Sequence, residues 1–296
     1  MKYSLENTIE QYEILFSLEN GREDYFRYEM MKPFEAMWRL INVPLKAREP
    51  NGYDVLMATN MLGYLGVQET ETGLQMIENL KEIHAMQTAQ STLDHCLDFI
   101  AKHSLMIVAD DLKFGLYIAD SDKLSLQKGY CGFGGIPGFI QVAISPNSYN
   151  IPRLPAVIAH EFHHNIRFSY FNWDHGNVTV GDYLVIEGLA ESFAQALFGE
   201  QLIGPWVTSF DEEDLAYSIE VMKEAIHVKG FAEVSSYMFG DIIAKAQGYA
   251  PVGLSPFAGY AVGYQAVQAF MKREGIGIAE ASLMESSDIL GSCGLF

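Results

Sequence analysis

The sequence has 296 residues, 49% of them hydrophobic and 19% charged, which is enough apolar material for one large domain or two closely packed ones. Its 38 acidic residues against 19 Lys and Arg give a formal net charge of −19. No basic patch interrupts this negative charge, so the sequence excludes nucleic acid and anionic membrane surfaces as partners.

Other classes are excluded by local composition. No run of 18 apolar residues is present, which argues against membrane insertion, and the N-terminal residues lack the apolar core of a signal peptide. Cys96, Cys131 and Cys293 are scattered and have no CxxC spacing. They predict reduced thiols in a cytoplasmic protein rather than a disulfide framework.

The first part of the chain, residues 1–103, has the apolar spacing of helices and is interpreted as a scaffold region. Amphipathic segments are expected at residues 23–40 and 53–65, followed by a longer one at residues 74–100. The remaining residues, 104–296, form the expected catalytic region, packed with the scaffold as one unit.

The pattern changes near Ser104, where short β-type runs at residues 105–109 and 114–119 are separated by two aspartates. The glycine-rich residues 129–138 lack the Lys-Ser/Thr pair of a phosphate loop, so they predict a flexible turn that leads into a strand. That strand, residues 139–145, alternates apolar side chains and comes just before the next motif.

We expect this strand to be an edge strand that pairs with an extended peptide. It would present the scissile bond of that peptide to a metal held by the motif that follows the strand. The residues assigned to substrate binding on this basis are Gln141, Val142 and Ala143.

The motif that follows is HExxH, formed by His160, Glu161 and His164. On a helix the two histidines lie about 40° apart around the axis, so their imidazoles can converge on one zinc ion. Glu161 lies about 60° beyond His164, where a general base can take a proton from an activated water. Chance histidines on a solvated helix are the alternative, but the helical context argues against it.

That context is an apolar stripe of Ile158, Phe162 and Ile166 on the opposite face of the predicted helix. Pro152 and Pro155 suit its first turn, and Asn150 or Ser148 can cap it. We therefore expect the histidines to lie in the middle of a helix that is buried on one side.

Two further histidines lie close in sequence. His163 is about 60° from His160 on the flank opposite Glu161, so we expect it to approach the site without binding metal. His175 stands in a loop of residues 169–181, and the HExxHxxGxxH pattern that would make it a ligand fails, because Arg167 and Tyr170 occupy the required positions.

A second helix is predicted over residues 183–198, with Gly199 as its stop. Glu187 and Glu191 share one face of this otherwise apolar helix. Buried carboxylates need a cation or hydrogen-bond donors, whereas on an outer face they would simply be solvated. Gly188 lowers helix propensity and is explained if another helix approaches closely at this level.

The last third is predicted to be helical over residues 211–229, 231–247 and 257–274. In the last of these, Tyr260 and Tyr264 repeat at i+4 beside glycines at the same spacing. Either tyrosine can pack with a satisfied hydroxyl or donate to an oxyanion, and His227 is a weaker candidate for that role.

Taken together, AHEFHH and VIEGLAESFA resemble the glutamate-type zincins. More closely, IAHEFHHNIRF, EGLAESFAQALFG and GYAVGYQAV resemble the YjaZ-like family of zinc-dependent proteases, over roughly residues 104–270. The resemblance implies that Glu187 is the third zinc ligand and that a tyrosine hydroxyl stabilises the oxyanion. By analogy with NExxSD, where the ligand comes first, Glu191 is expected to hydrogen-bond a zinc-binding histidine.

We therefore expect an α+β, zincin-like metalloprotease with a small twisted sheet between mostly helical parts. The predicted function is that of a cytoplasmic zinc metallopeptidase that binds one Zn²⁺ per chain and hydrolyses a peptide or protein substrate. A zinc hydrolase of a non-peptide amide and a metal-binding interaction protein without turnover are the alternatives. If Glu187 is not a ligand, His175 and Asp182 are the next candidates for the third zinc ligand.

Overall fold

The computed structural model describes residues 1–50, 52–174 and 176–296, and their contacts form two compact units. The first unit comprises residues 1–98 and 107–165, and the second comprises residues 99–106 and 166–296. The second is helical and the first combines helices with a sheet, so the expected α+β class is confirmed. The division into a scaffold up to residue 103 and a catalytic region after it concerns roles and stays a prediction.

The sheet of the first unit has four strands. They are β1 (Lys2–Leu5), β2 (Asp111–Ile118), β3 (Tyr130–Ile136) and β4 (Phe139–Ile144). Their order across the sheet is β1-β2-β4-β3. The first two pairings are parallel, and β3 and β4 form an antiparallel hairpin. The hairpin turn ends at Gly138, whose φ of +95° suits glycine.

The prediction of an edge strand at residues 139–145 is wrong. β4 lies inside the sheet, because β2 pairs with it on one side and β3 on the other. Gln141, Val142 and Ala143 are buried, so the reason for assigning them to substrate is removed. The strand that borders this side of the sheet is β3.

Three further differences concern the strands. The glycine-rich residues 129–138 contain β3 rather than a flexible turn, and the run at 105–109 is not a strand. β1 was not predicted, because its four residues are ordered by a parallel partner more than 100 positions away. The run predicted at 114–119 corresponds to β2.

The first unit also contains five complete helices and parts of two others. The five are α1 (Thr8–Ser17), α2 (Arg22–Tyr25), α3 (Glu35–Leu40), α4 (Val55–Met61) and α5 (Thr70–Glu82), and α6 (Ala85–Lys102) and α7 (Leu154–Tyr170) begin there. The predicted helix at 23–40 is interrupted by a π turn and by a 3₁₀ turn that contains Pro33. The predicted segment at 74–100 is interrupted at His84, which has a φ of +53°.

Eight helices of the second unit follow α7. They are α8 (Val180–Phe198), α9 (Pro205–Thr208), α10 (Glu212–Ala225), α11 (Phe231–Phe239), α12 (Asp241–Ala246), α13 (Ala258–Glu274), α14 (Ile278–Ala281) and α15 (Ser286–Cys293). The predicted helix at 231–247 is divided at Gly240, which adopts a φ of +78°. None of the helices in the described part of the chain is long and apolar enough to cross a bilayer.

The predicted reason for Gly188 is confirmed within the second unit. A Cβ at Gly188 would collide with the carbonyl group of Gly263, and one at Gly263 would lie 3.0 Å from the carbonyl carbon of Leu184. Glycine at both positions therefore lets α8 and α13 cross backbone against backbone.

Candidate metal centre

The helix that carries the motif forms as its sequence predicts. Ile158, Phe162 and Ile166 are fully buried along one face of α7. A 3₁₀ turn at residues 151–153 precedes the helix and accommodates Pro152. The predicted capping by Asn150 is not observed, since its side chain makes no cap hydrogen bond. Asn147 instead accepts hydrogen bonds from the backbone N–H groups of Tyr149 and Asn150.

The motif residues converge within the first unit. One ligand atom each from His160, Glu161 and His164 can be chosen so that all three lie within 4.8 Å of one another. The two imidazole rings are 4.9 Å apart between centroids and nearly perpendicular, at 83°. All three residues are buried, with 7–9% of their surface exposed.

This donor set fits a zinc ion. Two imidazole nitrogens and a carboxylate oxygen are the ligand types that zinc prefers when thiolates are absent. Burying them together without a cation would cost free energy, because each loses its hydration. The cluster can therefore hold a metal ion, and the role of Glu161 as base rather than ligand stays a prediction.

The edge strand β3 lies directly against this cluster. A Cβ at Gly132 would lie 2.5 Å from the carboxyl carbon of Glu161, and one at Gly134 would lie 2.7 Å from its carbonyl carbon. Any larger residue at either position would need Glu161 to move. The glycines of β3 thus allow the helix that carries the motif to pack on the strand without intervening side chains.

Cys131 and Tyr64 show that the Glu161 carboxylate influences its surroundings. Burial raises the pKa of the Cys131 thiol to about 12, and the negative charge of Glu161 contributes in the same direction. Burial also raises the pKa of the Tyr64 hydroxyl well above its usual value, with a smaller contribution from Glu161. Both groups are therefore protonated at neutral pH.

Asn165 is a residue of this site that no sequence motif indicates. It is fully buried one position after His164, and its side-chain amide donates to the carbonyl of Gly134 at 2.8 Å. Its Oδ1 accepts from the Gly138 N–H at 2.6 Å. The feature of the sequence that points to Asn165 is a polar side chain beside the apolar stripe of the predicted helix. His163 is also fully buried, and its predicted supporting role remains untested.

The second unit contains the predicted residues of α8. Glu187 and Glu191 are both buried, which excludes the alternative that they reach solvent. Glu191 accepts hydrogen bonds from Trp206 Nε1 at 2.6 Å and from the Gly204 N–H at 3.2 Å. These donors compensate part of the cost of burying its charge. The assignments of Glu187 to zinc and of Glu191 to a histidine stay predictions.

The tyrosines of α13 have different surroundings. Tyr264 is buried, and this burial raises its pKa, with smaller contributions from Glu200 and Glu191. The Tyr260 ring packs against Trp206 and Phe257, with centroid distances of 5.3 and 5.6 Å. Aromatic packing therefore accounts for Tyr260, and the oxyanion role of either tyrosine is untested.

The remaining candidates are less suited to the site. Asp182 is occupied by a capping box at the start of α8, where it accepts from the backbone and the hydroxyl of Thr179. His227 is exposed. His175 lies outside the described residues.

Comparison with known proteins agrees with this geometry. A family model described as "Predicted Zn-dependent protease (DUF2268)" matches residues 85–291. The chain is 62% identical to the uncharacterized protein YjfC of Bacillus subtilis (strain 168) over 297 residues, covering 100% of this chain and 99% of YjfC. It is 28% identical over 121 residues to the uncharacterized protein YjaZ of the same organism, covering 39% of this chain and 41% of YjaZ.

No solved structure matches the chain. The family match extends over most of the sequence, including α7, α8 and α13, and the full-length similarity to YjfC accompanies it. The chain therefore belongs to the family of predicted zinc-dependent proteases.

Proposed function

We propose that this protein is a zinc metallopeptidase of the zincin type. The observation that carries the proposal is the buried cluster of His160, Glu161 and His164 on one helix, in a member of a predicted zinc-dependent protease family. His160 and His164 would hold the ion, with Glu187 as the third ligand. When bound, zinc would lower the pKa of water and polarise the substrate carbonyl.

The chain's own groups then carry the protons. Glu161 takes a proton from the attacking water and delivers it to the amine that leaves when the peptide bond breaks. Glu191 supports a zinc-binding histidine, and Tyr264 or Tyr260 donates to the oxyanion.

The substrate would pair with β3 rather than with β4. The Ala119 N–H donates to the carbonyl of Ile144, so this carbonyl faces β2. Backbone groups alternate in direction along a strand, so the N–H and C=O of Val142 also face β2. Gly132 lies opposite Val142, and its own N–H and C=O therefore point away from β4. Gly132 lies against Glu161, so a peptide added at this edge would pass close to the base.

Metal analysis and a peptide-library digest test the proposal. The zinc-loaded protein should contain one ion per chain and cleave library peptides. Glu161→Gln should retain the zinc and lose roughly 10²–10⁴-fold in turnover, as expected for the loss of a general base. Zinc binding without cleavage of any peptide would contradict the proposal and favour an interaction protein or a hydrolase of another amide.

Cytoplasmic action is part of the proposal and rests on the cysteines, which are free in the structure. Fractionation of cells that express the protein at its natural level would test it.

A further inference from the structure

We propose that Asn150, which lies just before the turn that leads into α7, and Asn165, which lies within α7, are positioning residues that hold the β3–β4 hairpin in a fixed register against this helix. Through this attachment they keep the edge strand aligned with Glu161. The catalytic consequence rests on the proposed peptidase function, whereas the attachment itself can be tested without turnover.

Asn165 attaches the turn end of the hairpin. Its Nδ2 donates to the carbonyls of Gly134 at 2.8 Å and Phe139 at 3.2 Å, and its Oδ1 accepts from the Gly138 N–H at 2.6 Å. The β3–β4 register is irregular between Phe133 and Ile136, so the Gly134 carbonyl leaves the ladder at this point. One buried amide thus binds β3, the turn and β4 together.

Asn150 attaches the opposite end of the hairpin. Its Nδ2 donates to the carbonyls of Lys128 at 2.8 Å and Ser145 at 2.9 Å, which lie just before β3 and just after β4. The side chain is fully buried and contributes nothing to capping the helical turn that it precedes. Its hydrogen bonds therefore serve the hairpin rather than the helix.

The two attachments define the alignment more strictly than apolar packing would. They are 15 residues apart, which corresponds to roughly 20 Å along a helical path. Apolar contact between glycine-rich β3 and α7 has little directional preference, whereas the amide hydrogen bonds are satisfied in only one register. Glu161 and Gly132 lie between the attachments, so both positions are fixed relative to each other.

The test compares Asn165→Ala and Asn150→Ala with Thr8→Val in the zinc-loaded, full-length protein. Thr8 is a matched control, because its buried hydroxyl donates to the carbonyl of Leu116 in β2 and not to either strand of the hairpin. The measurements are bound zinc, kcat and KM on a cleavable peptide, urea stability, and the hydrogen-exchange rate of the hairpin amides.

Asn165→Ala should keep its zinc and lower kcat about 10- to 100-fold, the range expected for a small misplacement of reacting groups. The Gly138 N–H should exchange faster, because its acceptor is removed. Asn150→Ala should give a smaller loss of kcat and faster exchange at the open end of the hairpin. Thr8→Val should lose stability without a loss of kcat and without faster exchange of the hairpin amides.

Unchanged exchange at both ends of the hairpin would overturn the attachment, whether or not the wild type cleaves peptides. An equal loss of kcat in Thr8→Val would overturn the positioning role, since general destabilisation would then explain all three variants. If Asn165→Ala does not fold, Asn165→Ser and Asn150→Ala provide the same comparison. A wild type that binds zinc but never cleaves contradicts the proposed function alone.

Discussion

The contact between β3 and the helix that carries the motif predicts different outcomes for two neighbouring glycines. In Gly132→Ala the new Cβ would lie 2.5 Å from the Glu161 carboxyl carbon, whereas ordinary contacts are 3.4–4 Å. The carboxylate must therefore retreat by roughly 1 Å, a misplacement that costs up to about 100-fold in rate. Because the displaced group is a flexible side chain, the helix and its histidines need not move.

We expect Gly132→Ala to retain zinc and near-native stability while kcat falls about 10- to 100-fold. In Gly134→Ala the Cβ would lie 2.7 Å from the carbonyl carbon of Glu161, which cannot move without the helix backbone. This variant should lose about 1–3 kcal/mol of unfolding free energy as well as zinc affinity.

Metal analysis, peptide kinetics and urea unfolding on both variants check this prediction. Gly66→Ala is the control from the same unit, because its Cβ would make only an ordinary contact at 3.5 Å. Wild-type kcat in Gly132→Ala would refute the reasoning. So would a parallel loss of zinc, stability and activity in both variants, because it would mean that the carboxylate and the helix backbone cannot be displaced independently.

Three further predictions concern the metal site. His163→Ala should retain zinc and lose only stability or activity; a zinc loss equal to that of His164→Ala would show that His163 is a ligand. Glu187→Ala should abolish tight zinc binding, whereas Glu191→Ala should weaken it about 10- to 100-fold. Zinc titrations that show the larger loss of affinity in Glu191→Ala would exchange the two roles. Removing zinc from the wild type should lower its thermal unfolding midpoint, because an ion bound only by the folded state stabilises it by about 2.7 kcal/mol at 100 times Kd. Calorimetry with and without a chelator measures this shift. An unchanged midpoint after the chelator is added to zinc-saturated protein would contradict a zinc site in the folded state.

The sequence predicted those features whose signals are local. The apolar stripe of α7 and the i, i+4 histidines repeat at the helical period, so the motif helix could be located from periodicity alone. The stop of α8 at Gly199 and the close approach at Gly188 follow from the properties of glycine. Each of these signals lies within a few residues of the feature that it predicts.

Features that depend on distant partners were missed. The order of strands could not be inferred, because β4 becomes internal only when β2 pairs with it from across the sheet. The glycines of residues 129–138 predict a turn rather than β3, because glycine is depleted in strands. Its glycines are needed where Glu161 approaches, a requirement that appears only in three dimensions.

The distribution of buried polar groups on α7 argues that this helix is not built for stability alone. Residues 160, 161, 163, 164 and 165 are all buried polar residues, placed beside fully buried apolar side chains on the same helix. Apolar residues of similar volume at these positions would avoid the desolvation cost and often stabilise a protein. The cost is offset for Asn165 by hydrogen bonds to the hairpin, and a bound cation would offset it for the cluster of His160, Glu161 and His164. Metal binding is therefore the physical account of α7 that explains three of these five residues at once.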